Sequence, residues 1–118
     1  MEKSSKQVII MRKDLNMRKG KMVAQGAHAS LSAFMASKDD SAMKDWLANG
    51  VTKICVSVNS EAELIEIFNK AKSKGLACAL ITDAGRTEFN GVPTKTCCAI
   101  GPNWADEIDP ITNKLSLL

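Results

Sequence analysis

The sequence predicts a single α/β domain: three layers, with a mixed, mostly parallel four-stranded sheet flanked by helices on both faces. Apolar, β-prone runs alternate with segments of helical periodicity, which is typical of right-handed crossovers between parallel strands. The chain has 118 residues, of which 45% are hydrophobic. This length and composition suit one compact domain over residues 1–118 and are too small for two.

The first two elements are predicted to be a buried strand and a long helix. The segment QVIIMRK (7–13) is an apolar run that opens on a polar loop, as a buried strand does. A helix should begin near Lys21, and its apolar stripe is expected to pack on the sheet. The residues that recur at helical intervals in this stripe are Val23, Ala27, Leu31 and Phe34.

A second helix and a second strand should follow. The segment 39–50 has the pattern of a shorter helix that ends at Gly50, where a left-handed residue would cap it. The run VTKICVSV (51–58) is β-branched and nearly alternating, which favours a strand.

The remaining elements are predicted from a cap and two apolar runs. Ser60 and Glu63 form an S-x-x-E capping box, which indicates a helix that ends near Gly75. Strands are expected over 76–82 and 94–101. No helix separates these two strands, so the last one should be antiparallel. A short helical turn and an extended tail should complete the chain.

The four cysteines are expected to be buried, reduced thiols. Cys55, Cys78, Cys97 and Cys98 each lie in an apolar run, and no C-x-x-C spacing occurs. Adjacent Cys97 and Cys98 should point to opposite faces of a strand. The chain contains one histidine, so a zinc site would need cysteine ligands from scattered strands. We therefore expect neither a metal nor a cofactor.

Composition also predicts a cytoplasmic protein without a membrane segment. The sequence begins with Met1, has no secretion signal, and has no apolar run near the roughly 20 residues that cross a bilayer. Residues 1–21 carry seven basic and two acidic side chains, a charge of +5 within a chain of net charge +3. Such a local excess suits a polyanion-binding surface, although charge alone favours ordinary solvated surface residues.

A polar line marks the predicted first helix. In GKMVAQGAHA, helical spacing puts Lys21, Gln25 and His28 on one side. A lysine in the first turn opposes the helix dipole, which indicates a functional role. His28 lies two turns, or roughly 10 Å, from Lys21 and therefore suits substrate positioning or structure better than general-base chemistry. Gln25 can donate and accept, so it is expected to hold neighbours or a ligand.

The loop DAGRTEFNGVPT (83–94) is the second polar concentration. It begins with Asp83 directly after an apolar strand, and Gly85 and Gly91 permit unusual backbone angles. A solvated turn with Asp83 as a cap is an equally good interpretation. If the first and third strands are parallel, this loop and the polar line meet at one edge of the sheet. The other polar members of the loop are Arg86, Thr87, Glu88, Asn90 and Thr94.

These motifs resemble a known family. DLNMRKGKMVAQGAHA, DAGRTEFNGVPT, and AIGP followed by IDPITNKLSLL are similar to the peptidyl-tRNA hydrolases of the archaeal and eukaryotic type, also found in some bacteria and phages. The likeness covers 7–118. It implies an enzyme that hydrolyses the ester between a peptide and the 3′-terminal ribose of tRNA, with a metal-free, frequently dimeric α/β fold.

The resemblance also implies a set of site residues. Catalytic roles fall on Lys21, Asp83, Thr87 and Thr94, and substrate-binding roles on Gln25, His28 and Arg86. We add the basic residues Arg18 and Lys19 as substrate-binding candidates for tRNA phosphates. The chain departs from the family pattern at Val92, where a small hydroxyl residue is common, and at Asn113, where glycine is common.

Several mechanisms and functions stay open at this point. Asp83 would orient or deprotonate a water, Lys21 would stabilise the oxyanion or a nearby phosphate, and threonine hydroxyls would bind the water or the ribose. A threonine nucleophile with Asp83 as its base is the alternative mechanism. The alternative functions are a non-catalytic tRNA- or protein-binding module, an aminoacyl-tRNA deacylase and a metabolic α/β protein. No glycine-rich phosphate loop of the usual spacing supports a nucleotide cofactor for the last of these.

Overall fold

The computed structural model describes residues 3–85 and 89–118, and within them it contains four strands and four helices in the predicted order. None of these helices is long and apolar enough to span a bilayer. The elements are β1 (Ser5–Arg12), α1 (Lys19–Met35), α2 (Ser41–Ala48), β2 (Lys53–Val58), α3 (Glu61–Ser73), β3 (Cys78–Asp83), β4 (Thr94–Trp104) and α4 (Ala105–Thr112).

The sheet has the strand order β2-β1-β4-β3. Strand β1 pairs in parallel with β2, while β4 is antiparallel to both β1 and β3. Three strands therefore point one way, and the prediction of an antiparallel last strand is confirmed. The expectation of a mostly parallel sheet needs one correction: β4 lies between β1 and β3, so only the β1–β2 pairing is parallel.

Helices cover both faces of the sheet, as predicted. Strand β1 is buried on both sides: Val8 and Ile10 contribute to the core beneath α3 and α4, whereas Ile9 and Met11 face α1. Burial on both faces explains why 7–13 reads as a continuous apolar run rather than an alternating one. The sheet therefore provides the surface against which α1 packs.

The predicted caps of the helices are present. The Ser60 side chain accepts a hydrogen bond from the Glu63 N–H at 3.1 Å, and α3 then buries Leu64 and Ala71. Gly50 has a φ of 94°, the left-handed conformation predicted after α2. The C-terminal segment forms a full helix, α4, where the sequence predicted a single turn.

The tail after α4 runs along the outer edge of β2. Leu117 forms an antiparallel bridge with Val56. The Ser57 N–H donates to the Ser116 carbonyl at 2.9 Å, and the Leu118 N–H donates to the Cys55 carbonyl at 3.1 Å. These bonds occupy backbone groups that an edge strand would otherwise expose.

The predicted packing of α1 is wrong. Val23 and Leu31 of the apolar stripe are 72% and 60% exposed. The buried residues of α1 are instead Gln25, Gly26, Ala29 and Ala33. Small side chains let the helix approach the sheet closely, and the larger apolar residues are left on its outer side, along an open groove.

The thiols only partly follow the prediction. Cys97 and Cys98 are fully buried and face opposite sides of β4, as expected. Burial raises the pKa of both thiols, that of Cys97 to about 11. Cys78 is partly buried. Cys55 is exposed, contrary to expectation, because it lines the open groove beside α1.

Candidate active site

The two polar segments meet at one edge of the sheet. Strands β1 and β3 point the same way, so α1, which follows β1, begins at the edge where β3 ends. The Lys21 Nζ lies 2.8 Å from Asp83 Oδ1. The two side chains are 15% and 14% exposed. The convergence that the sequence suggested is therefore a direct ion pair between α1 and β3.

Strand alternation directs Asp83 toward α1. Successive side chains of a strand point to opposite faces, so Ala79, Ile81 and Asp83 share a face. Ala79 and Ile81 pack in the cluster beneath α1. Asp83 continues this row at the end of β3, where the apolar layer gives way to the polar edge.

Three donors hold the Asp83 carboxylate. Lys21 Nζ at 2.8 Å and Gln25 Nε2 at 3.3 Å donate to Oδ1, and the Gly85 N–H donates to Oδ2 at 2.8 Å. The Lys21 hydrogen bond, and then the Gly85 N–H, hold the pKa of Asp83 below its ordinary range, against the opposing effect of burial. The charge of His28 adds a smaller effect in the same direction. Asp83 is therefore ionised at neutral pH.

Gly85 must be a glycine in this loop. Its φ is 82°, and a Cβ at this position would collide with the backbone of Val92. The Gly91 N–H donates to the Gly85 carbonyl at 2.8 Å, which closes the loop on itself. The close approach of the two loop segments gives the Gly85 N–H its position beside Asp83.

Gln25 is buried at 4% exposure and connects Asp83 to β4. Its Oε1 accepts a hydrogen bond from Thr96 Oγ1 at 2.6 Å. Sequence reasoning missed Thr96, since alternation would place it on the face opposite Cys97. A β-bulge explains the difference: Ile81 pairs with Cys97 and Thr82 with Lys95, which leaves Thr96 as the extra residue, turned toward α1.

Phe89 is a second neighbour that the sequence reasoning missed. Lys21 Nζ lies 5.7 Å from the centroid of its ring, within range of a cation–π interaction. Phe89 also packs against the cluster beneath α1. An aromatic residue in a mostly polar loop could have indicated this contact from the sequence.

The other predicted residues occupy varied positions. Thr94 lies opposite Asp83 in the β3–β4 pairing, and its hydroxyl donates to the Val92 carbonyl at 2.8 Å. His28 is exposed, and its side chain makes no hydrogen bond within the described residues. Arg18 and Lys19 are exposed at the start of α1. Arg86 and Thr87 lie outside the described residues.

The arrangement brings together groups that suit hydrolytic chemistry. An ionised carboxylate can orient a water, and an adjacent ammonium can stabilise an oxyanion that develops beside it. Both side chains lie partly buried at the edge of the sheet. In the described part of the chain, no cluster of three or more His, Cys, Asp and Glu side chains is placed to hold a metal ion.

Comparison with known proteins identifies the family. The family model of peptidyl-tRNA hydrolase PTH2 matches residues 5–118. The chain belongs to the peptidyl-tRNA hydrolase family. This confirms the resemblance inferred from the two sequence motifs. Lys21 belongs to the first motif and Asp83 to the second, so the ion pair joins the two.

Relatives named peptidyl-tRNA hydrolase match the chain over nearly its full length. The protein from Methanocaldococcus jannaschii is 50% identical over 96% of this chain and 99% of its own. That from Halobacterium salinarum is 49% identical over 95% and 98%. That from Methanothermobacter thermautotrophicus is 46% identical over 96% and 99%.

We expect Gly85→Ala to destabilise the protein more than Gly91→Ala does. Both glycines have positive φ, so each alanine costs about 1–2 kcal/mol, but Gly91 has open space around its missing Cβ. At Gly85 the collision with Val92 adds about 1–3 kcal/mol. Thermal unfolding measures the difference, and equal losses in the two variants would contradict the packing argument.

We expect Lys21→Met to raise the pKa of Asp83, because the substitution removes the main group that lowers it. The carboxyl ¹³C shift, followed by NMR against pH, measures this without any need for activity. Asp14 is the internal control, since Arg12 lowers its pKa independently. An unchanged Asp83 titration would show that Lys21 does not set its charge.

The same ion pair predicts acid sensitivity. The pKa of Asp83 is lower in the folded protein than in the unfolded chain, so the ionised carboxylate stabilises the fold above the ordinary carboxyl pKa. This stabilisation is lost as the pH falls through the folded value. The wild type should therefore lose more stability than Lys21→Met over that interval, as measured by urea unfolding.

Proposed function

We propose that this chain hydrolyses the ester bond between a peptide and the 3′-terminal ribose of tRNA, and that Asp83 positions the attacking water. The observation that carries the proposal is the Lys21–Asp83 pair of 2.8 Å at the open edge of the sheet in a member of this family. The reaction consumes one water and releases free tRNA and a peptide carboxylic acid.

Asp83 suits orientation of water better than full proton abstraction in the ground state. A carboxylate whose pKa is lowered is a weak base, so it gains a proton only as the water begins to attack. The hydroxyls of the two threonines in β4 are engaged elsewhere: Thr94 donates to Val92, and Thr96 donates to Gln25. These bonds favour water over either hydroxyl as the nucleophile.

Lys21 supplies the positive charge beside the reacting carbonyl. As water forms its bond to the carbonyl carbon, negative charge develops on the carbonyl oxygen, and an ammonium already held in place stabilises that charge without reorganisation. The bond to the ribose oxygen then breaks, and the proton taken from water passes to that oxygen. Asp83 and the ring of Phe89 keep Lys21 at the site.

The start of α1 is the proposed contact for tRNA phosphates. Lys6 pairs with Asp109 at 2.5 Å, and Arg12 pairs with Asp14 at 2.7 Å. These pairs reduce the basic excess that the sequence shows, whereas Arg18 and Lys19 are exposed near Lys21. Phosphates bound at this position would explain why basic residues lie next to the site. We place the enzyme in the cytoplasm, because translation generates its substrate there.

We also propose a homodimer formed through the outer side of α1. The exposed residues of α1 border an apolar groove of about 790 Å³ that reaches the uncovered part of β1 and β2. Val23 and Leu31 line this groove and are largely exposed, so a two-fold axis can bury them against the same apolar surface of a second copy. The groove is lined by residues that include Ile9, Met11, Ala27, Phe34 and Leu47.

Leu31→Glu should shift the protein toward monomers, because it places a charge in the apolar groove. Sedimentation velocity at several concentrations measures the shift. Met35→Glu is the matched control: Met35 is 75% exposed on the same helix but does not line the groove. A wild-type protein that stays monomeric, or an equal effect of both substitutions, would contradict a dimer through this face.

The decisive test of function is release of free tRNA from N-blocked aminoacyl-tRNA in the presence of EDTA. We expect turnover that is independent of metal, and a loss on the order of a hundredfold or more in Asp83→Asn and in Lys21→Ala. Asp109→Asn is the control, since Asp109 also pairs with a lysine but belongs to α4. Full activity in Asp83→Asn would remove Asp83 from the chemistry.

The same assay separates the alternative functions. Equal turnover of unblocked aminoacyl-tRNA would indicate a general deacylase. Binding of tRNA without turnover in the wild type would indicate a binding module. Binding should be retained in Asp83→Asn, because removal of a negative charge does not weaken phosphate contacts.

A further inference from the structure

The amide of Gln25 is held from both ends inside the protein. Its nitrogen donates to Asp83 Oδ1 at 3.3 Å, and its oxygen accepts from Thr96 Oγ1 at 2.6 Å. Gln25 is 4% exposed and Thr96 is fully buried. Water therefore has little access to replace either bond, and the two ends of the amide depend on their protein partners.

The orientation of this amide matters to Asp83. With the nitrogen toward the carboxylate, Gln25 adds a donor to an anion, which favours the charged form. With the amide reversed, two oxygens without a proton between them would face each other. With the nitrogen toward Asp83, the amide oxygen faces Thr96 and accepts a hydrogen bond from its hydroxyl, so both ends of the amide have a partner.

The backbone fixes Thr96 in this position. The bulge in β4 turns Thr96 toward α1, and the next residue, Cys97, donates its thiol hydrogen to the Gln25 carbonyl at 3.3 Å. Two adjacent residues of β4 thus hold both the side chain and the main chain of Gln25.

We propose that Thr96 is a positioning residue for hydrolysis: its hydroxyl holds Gln25 with the amide nitrogen toward Asp83, and so fixes the carboxylate that orients the water. The inference rests on the role of Asp83 proposed above. Thr96 itself is buried and does not contact the substrate. Its effect should therefore fall on kcat and leave KM nearly unchanged.

Steady-state kinetics of Thr96→Val tests this. We expect kcat to fall about tenfold or more, since one buried hydrogen bond is lost and about 1.4 kcal/mol corresponds to a factor of ten. Thr96→Ser keeps the hydroxyl and should retain most of the rate. If Thr96→Val does not fold, Thr96→Ala replaces it, with the same loss of kcat expected.

A double-mutant cycle with Gln25→Met shows whether Thr96 acts through Gln25. The double variant should be no slower than Gln25→Met alone, because the hydroxyl has nothing left to hold. Thr112→Val is the matched control: Thr112 is a buried threonine whose hydroxyl donates to the Ile108 carbonyl, within α4. We expect it to change stability without changing kcat.

Three results would overturn the inference: unchanged kcat in Thr96→Val, an equal loss in Thr96→Ser, or additive losses in the double variant. Asp83→Asn is measured in the same assay. If it is inactive while Thr96→Val is fully active, the positioning role fails and the role of Asp83 stands. If Asp83→Asn is active, the proposed mechanism itself fails.

Discussion

Strand β4 separates the two strands whose carboxyl ends form the site, and α1 must bridge that separation. Because β4 lies between β1 and β3, these strands are two spacings apart, roughly 10 Å. Helix α1 leaves the end of β1 and crosses over β4, which brings Lys21 to Asp83 at the end of β3. The ion pair is thus possible only with β1 and β3 pointing the same way.

The close packing of α1 against the sheet has an energetic cost and a structural benefit. Gly26, Ala29 and Ala33 let the helix lie near the sheet, and this brings the polar Gln25 into the interior. A buried amide destabilises a protein unless its hydrogen bonds are made. Here the bonds to Asp83 and Thr96 are made, and no buried side-chain nitrogen or oxygen in the described residues lacks a partner. The same bonds that satisfy Gln25 also order the carboxylate.

Much of this arrangement was predictable from local patterns. The helix cap at Ser60, the buried run of β1 and the position of Asp83 at the end of an apolar strand each depend on a few neighbouring residues, and the structure contains all three. The meeting of Lys21 with the loop at Asp83 needed one further assumption, that β1 and β3 are parallel in direction. The family motifs then supplied the chemistry.

The features that were not predictable depend on distant parts of the chain. Periodicity identifies α1, but it does not reveal which face meets the sheet: Val23 and Leu31 are exposed because small residues allow closer packing. The insertion of β4 between β1 and β3 leaves no local trace. Thr96 was missed for the same reason, since the bulge that turns it toward Gln25 is a property of strand pairing.

The shielded edge of β2 has a consequence for how the sheet is completed. Leu117, which bridges Val56, follows every strand in the sequence. Until this segment is in place, the outer edge of β2 is open to pairing with other chains. Docking of the tail therefore closes an edge through which the sheet could otherwise recruit a neighbour.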